Sequence, residues 1–134
     1  MKRHLLAAAT LAISVFAGAA QAQEAPKYVV DPTWPKPLPK DWITGQLGGV
    51  CTAEQDHIYV VNRRNITDEE KETSISAPSI IKFDSAGNVV GSWGDEKTVP
   101  NSIHGCAIDK DNNVYVAGNS DGVIQKYSPD GMCS

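Results

Sequence analysis

Few residues in this sequence are of types that do chemistry. His104 stands in the run Ile103-His104-Gly105-Cys106, and Arg63 and Arg64 follow Ile58-Tyr59-Val60-Val61-Asn62. A neutral imidazole is a good zinc ligand, but a histidine before glycine is also a common turn residue that bonds a carbonyl. Arg63 and Arg64 lie beside the acidic run Asp68-Glu69-Glu70-Lys71-Glu72, which reads as a solvated loop. By themselves the two arginines read as part of a surface ion-pair cluster, worth little in stability, with Arg64 in solvent. Cys51, Cys106 and Cys133 make an odd set with no Cys-x-x-Cys, so a dithiol redox motif is excluded. Cys51 and Cys106 fall at nearly equivalent places in two repeats and could come near each other; they are read here as two small buried hydrophobes. The phosphate loop, HExxH, GxSxG and SxxK signatures are absent. Asp109-Lys110-Asp111-Asn112-Asn113 resembles a calcium loop only superficially. Val114 and Ser120 stand where such a loop needs glycine and glutamate, so it reads as a hairpin turn.

The elements that must hold these residues follow from composition and pattern. Of 134 residues, 41% are hydrophobic and 21% charged, an ordinary globular balance. Lys plus Arg is 12 against 16 acids, for a net charge of −4, and no basic stripe interrupts the acidic body, so nucleic acid is excluded as a partner. Residues 1–22 have the layout of a secretory signal peptide: Lys2-Arg3-His4, an apolar stretch from Leu5 to Ala20, then Ala20-Gln21-Ala22 for cleavage. The stretch is short and Ala-rich for a membrane anchor. The mature chain then starts near Gln23 and is exported, to a bacterial-type periplasm or the medium, with no membrane association.

Residues 23–46 form a Pro-rich arm with Pro26, Pro32, Pro35, Pro37 and Pro39. Proline at that density leaves an extended chain rather than a helix or a central strand. Trp34 and Trp42 within it are expected to pack on a neighbouring body. From 47 to 134 the chain repeats itself. Gly49 aligns with Gly105 and Ile58–Val61 with Val114–Ala117, an offset of 56 residues. Ser79–Gly87 aligns with Val123–Gly131 at an offset of 44, so the first copy holds a 12-residue insertion between Arg64 and Ala77. The runs IYVV, NVYVA and VIQKY are β-branched or aromatic and bounded by turn residues, the signature of short strands. A period near 45 residues made of four short strands is the pattern of a propeller blade. The expected fold is therefore all-β: a β-propeller fragment of about two blades after a signal peptide and a Pro-rich arm, the second blade breaking off after Asp130-Gly131.

The phrase HG-x-A-I-D-x-D-x-N-x-Y-V-A, followed by Q-K-Y-S-P-D-G, resembles the NHL-type repeat of six-bladed propellers over about residues 44–134. Within that class, GQ-x-x-GV, an arginine about fourteen residues on, and HG-x-x-ID are similar to the start of the lyase domain of peptidylglycine alpha-amidating enzymes. That lyase splits a peptidyl hydroxyglycine into a peptide amide and glyoxylate. The resemblance implies zinc held by three histidines from different blades and a structural calcium at the central channel. By position, His104 is then the first zinc ligand, the carbonyls of Val50 and Cys106 face calcium, and Arg63 faces the substrate. The family's other two histidines and its tyrosine lie in later blades, and the only other histidine after the leader, His57, precedes a strand away from the axis. One histidine makes no catalytic zinc site, so the chain as given is expected to be inactive.

Two functions follow as expectations. One is a lyase-like metal propeller, incomplete as given. The other is a non-catalytic periplasmic propeller that binds a small peptide-like ligand or a protein partner. A third reading, that the product has no function of its own, rests on exposed strand edges that would pair with other chains.

Overall fold

The computed structural model describes residues 24–134. The signal-peptide reading of residues 1–22 lies outside them. The chain divides after Val30, and residues 24–30 carry no regular secondary structure. No helix among the described residues is long and apolar enough to cross a membrane.

Asp31–Ser134 is all-β apart from short turns of helix. Its strands are β1 (Trp42–Ile43), β2 (Leu47–Thr52), β3 (Ile58–Asn62), β4 (Ile75–Ser76), β5 (Ile80–Phe83), β6 (Val89–Trp93), β7 (Ile103–Ile108), β8 (Val114–Gly118) and β9 (Ile124–Tyr127). Strands β2-β3-β5-β6 form one antiparallel meander and β7-β8-β9 a second, while β1 and β4 pair in parallel. The repeat offsets reappear in the ladders: Gly49 opposes Val61 as Gly105 opposes Ala117, and Ile80 opposes Val61 as Ile124 opposes Ala117.

The two sheets stack face to face. Tyr59, Val61 and Ile80 of the first meet Ile103, Val114 and Val116 of the second, with Tyr127 closing the cluster. Each such side chain contributes roughly 1.5–3 kcal/mol when fully removed from water. The opposite face of the first sheet is covered by the arm over β3 and β5. Trp34, Leu38 and Trp42 pack on Val60, Ile81 and Phe83, with the Trp34 and Phe83 rings 5.6 Å apart. Strands β3 and β5 are thus buried on both faces, which is why IYVV and II read as continuous apolar runs rather than alternating ones. Gly87 makes the arm's seat: its φ of +86° needs glycine, and a Cβ there would lie 2.9 Å from the Trp34 ring.

Three sequence expectations are corrected. Cys51 and Cys106 are not free hydrophobes; they form a disulfide with a Cα–Cα distance of 6.0 Å, and only Cys133 is free. The acidic run is not a plain solvated loop: Asp68–Lys71 forms α1, a single turn whose N-cap Thr67 accepts from the Glu70 N–H while the Glu70 carboxylate accepts from the Thr67 N–H. Arg64 is half-buried, at φ +63°, with its Nε in the interior.

Candidate functional site

The edge strands β2 and β7 lie side by side along one seam. Two glycines make that approach attainable: a Cβ on Gly48 would stand 2.5 Å from the Ile103 carbonyl oxygen, and one on Gly49 3.2 Å from that of His104. Both strands carry the same irregularity. Leu47 and Gly49 pair with successive residues Asn62 and Val61, leaving Gly48 as the extra residue. Ile103 and Gly105 pair with Gly118 and Ala117, leaving His104 as the extra residue in β7. A bulge releases its residue from the ladder and re-aims its side chain. His104 is exposed there.

Arg63 spans the seam from just beyond β3. Its Nε donates to the Ile103 carbonyl at 3.2 Å, its Nη1 to Gln46 Oε1 at 3.4 Å, and its backbone N–H to the Gln46 carbonyl at 2.9 Å. Nη2 has no protein acceptor among the described residues. The fold thus brings Arg63, across 40 residues, to the carbonyl of Ile103, the residue immediately before His104. Arg63 does not join the acidic insertion, whose ion pair is Lys71 with Asp68 at 2.8 Å inside α1. Nor does Arg64: it lies by Asp95, whose carboxyl is held below its usual range first by the Lys97 N–H and the Thr98 hydroxyl and only then by the Arg64 charge.

Asn62 ties together the segments on either side of Arg63, and the sequence reading passed over it. Its fully buried side chain accepts from the N–H groups of Gly45 and Arg64 at 3.0 and 3.1 Å and donates to the carbonyls of Ala77 and Pro78 at 3.0 and 3.2 Å. All four valences of the amide are filled. The signal available was a lone amide closing an apolar run where the second repeat has Gly118.

Val50 and Cys106 occupy matching ladder positions, opposite Val60 and Val116. The Val50 side chain is exposed, whereas that of Cys106 turns to the first sheet and bonds Cys51. His57 is half-buried just before β3, as its position before a strand suggested.

The fit to metals is incomplete. Catalytic zinc takes three protein ligands, and among the described residues no three His, Cys, Asp or Glu side chains converge. His104 is the single imidazole at the seam. Two carbonyls, from Val50 and Cys106, fall short of the six to eight oxygens calcium takes. These residues do not by themselves form either centre. At Asp109 the hairpin reading holds: the carboxylate accepts from the N–H groups of Asp111 and Asn113, closing the turn between β7 and β8.

No protein-family model matches the chain, and a search of curated proteins finds no match.

Proposed function

We propose that this chain is two blades of an NHL-type β-propeller from an exported protein of lyase-like ancestry. Its seam at Arg63 and His104 binds the carboxylate of a peptide-like ligand. The observation that carries the reading is a guanidinium anchored through Nε to the carbonyl at the start of the His104 bulge, which keeps Nη2 for an external acceptor. A fixed, planar donor suits a carboxylate. The disulfide supports export, since such bonds persist in oxidising compartments.

Cleavage of a peptidyl hydroxyglycine of the peptidylamidoglycolate type would need a zinc and a calcium centre, and His104, Val50 and Cys106 are this chain's share of them. The single imidazole at the seam favours binding without turnover. The test is calorimetric titration with N-acetylglycine, and with a peptidyl hydroxyglycine in the presence of zinc and calcium while glyoxylate is assayed. Saturable binding that weakens at least tenfold in Arg63→Gln, with no glyoxylate, is the expected result. Binding unaffected by Arg63→Gln, or no binding, removes the site; glyoxylate release that depends on His104 removes the non-catalytic part.

A further inference from the structure

The turn joining β2 to β3, at the end of β3 opposite Arg63, has the same length as the turn joining β7 to β8. The two are closed alike: the Asp109 N–H donates to the Asn113 carbonyl at 3.1 Å, and the Ala53 N–H to the His57 carbonyl at 2.9 Å. The ladders extend the match, since Tyr115 pairs with Lys126 as Tyr59 pairs with Lys82. In the second sheet the Asp109 carboxylate gathers three donors. The Asn113 amide bonds it at 2.9 and 3.1 Å, the Tyr115 hydroxyl at 3.2 Å, and the Lys126 ammonium stands 3.8 Å away. In the first sheet the counterparts of those donors are His57, Tyr59 and Lys82. The carboxylate itself is missing, because Ala53 stands in its place.

The donors are set out alike in both sheets, with the Lys82 ammonium 5.5 Å from the Tyr59 ring and the Lys126 ammonium 5.5 Å from the Tyr115 ring. Among the described residues, however, no carboxylate lies within 4.0 Å of the Lys82 ammonium. Neither the Tyr59 hydroxyl nor the His57 ring has a hydrogen-bond partner among them. In place of the carboxylate there is a cavity of about 150 Å³, lined by Ala53, His57, Tyr59 and Lys82. The turn of the second sheet walls it off: the Glu54 N–H donates to Asn112 Oδ1 at 3.0 Å, and Asn112 Nδ2 to the Glu54 carboxylate at 3.4 Å. The other acid at the rim, Asp111, is paired with Lys110 at 2.8 Å. A half-buried ammonium and two further donors without an acceptor are completed by a charge-assisted hydrogen bond. Donors already held in place lower the ordering cost of binding, and two acids at the rim admit one negative charge more readily than two. We propose that this cavity binds the carboxylate of a small monocarboxylate ligand, held by Lys82, Tyr59 and His57 as Asp109 is held by Lys126, Tyr115 and Asn113. The proposal does not depend on the ligand-binding reading of the seam.

An amide NMR titration of the disulfide-intact protein with sodium acetate tests this, at constant pH and ionic strength and up to about 50 mM, since so small a ligand binds in the millimolar range. The amides of Ala53, His57 and Tyr59 report the cavity and those of Arg63 and His104 the seam, so the two sites are read separately. Saturable shifts at the cavity are expected, with the dissociation constant raised at least tenfold in Lys82→Met. Ala53→Asp restores the carboxylate that the second sheet carries. It should abolish the acetate response at the cavity and raise the melting temperature measured without acetate. Shifts at the cavity that are absent or fail to saturate overturn the proposal, and so does an acetate response that either substitution leaves unchanged. An Ala53→Asp protein that melts below the wild type or fails to fold overturns it too, because the donor set would then not accept a carboxylate.

Discussion

Opening the Cys51–Cys106 bond is the perturbation with the most predictable cost. The bond closes a loop of 55 residues between the edge strands β2 and β7. It constrains the unfolded chain, and the loop-entropy relation for that length gives about 4 kcal/mol at 25 °C. Strain in the folded state works against this figure, while the lost packing of two half-buried sulfurs adds to it. For a folded unit of about 100 residues, 4 kcal/mol corresponds to roughly 20 °C in melting temperature. The measurement is thermal and urea unfolding of the wild type with and without a phosphine reductant, and of Cys51→Ala/Cys106→Ala. Protein concentration is held fixed throughout. Both ways of opening the bond should agree, and the urea slope should rise because the unfolded ensemble expands. Cys133→Ser, which removes the exposed free thiol, serves as the silent control. A loss below about 5 °C, or an unchanged urea slope, would refute the argument that the bond acts through the unfolded chain.

Asn62→Ala should cost about 3 kcal/mol in urea unfolding, because the Gly45 and Arg64 N–H groups and the Ala77 and Pro78 carbonyls lose a buried partner together; a cost under about 1 kcal/mol would mean water replaces the amide. Asp109 is held down to about 2, first by the Asn113 side-chain amide and then by the N–H groups of the turn, with the Tyr115 hydroxyl adding the least. An unfolded aspartate titrates near 3.9, so the unfolded chain takes up the proton first: this stabilisation is complete above about pH 4 and is lost as the pH falls towards 2. Melting temperature followed from pH 5 to pH 2 should drop more steeply for the wild type than for Asp109→Asn, and parallel slopes would sink the assignment.

Much of the fold was legible locally. The β-branched runs, the Asp-rich and Gly-containing turns and the two offsets all reappear as strands, turns and ladder registers, since a strand of four or five residues is set by its own side chains and its bounding turns. The capping box at Thr67–Glu70 was equally present in the sequence, as Thr-x-x-Glu, and was passed over because the charge run suggested solvent. The site was legible in part. His104 and Arg63 were picked out as residues, but neither the bulge that frees His104 nor the Ile103 carbonyl that anchors Arg63 could be read from spacing. A bulge depends on which partner residue is skipped, and the anchor depends on where a second sheet comes to rest.

The cysteines mark the division most sharply. The sequence by itself determined that Cys51 and Cys106 lie in corresponding strands, and that the strands are short, antiparallel and repeated. It also contains the offset that matters: 51 plus 56 is Ala107, and Cys106 answers to Val50. The two cysteines therefore stand one position apart in the repeat and, because side chains alternate along a strand, on opposite faces of their sheets. Two sheets stacked in the same sense bring opposite faces together, so that one-residue difference is what allows the bond; at matching positions both would have turned the same way. Only the tertiary structure decided that the sheets stack in that sense, that the proline arm takes the remaining face of the first, and that the matching face of the second is left open. Those outcomes come from packing between segments distant in sequence, and no local pattern encodes it.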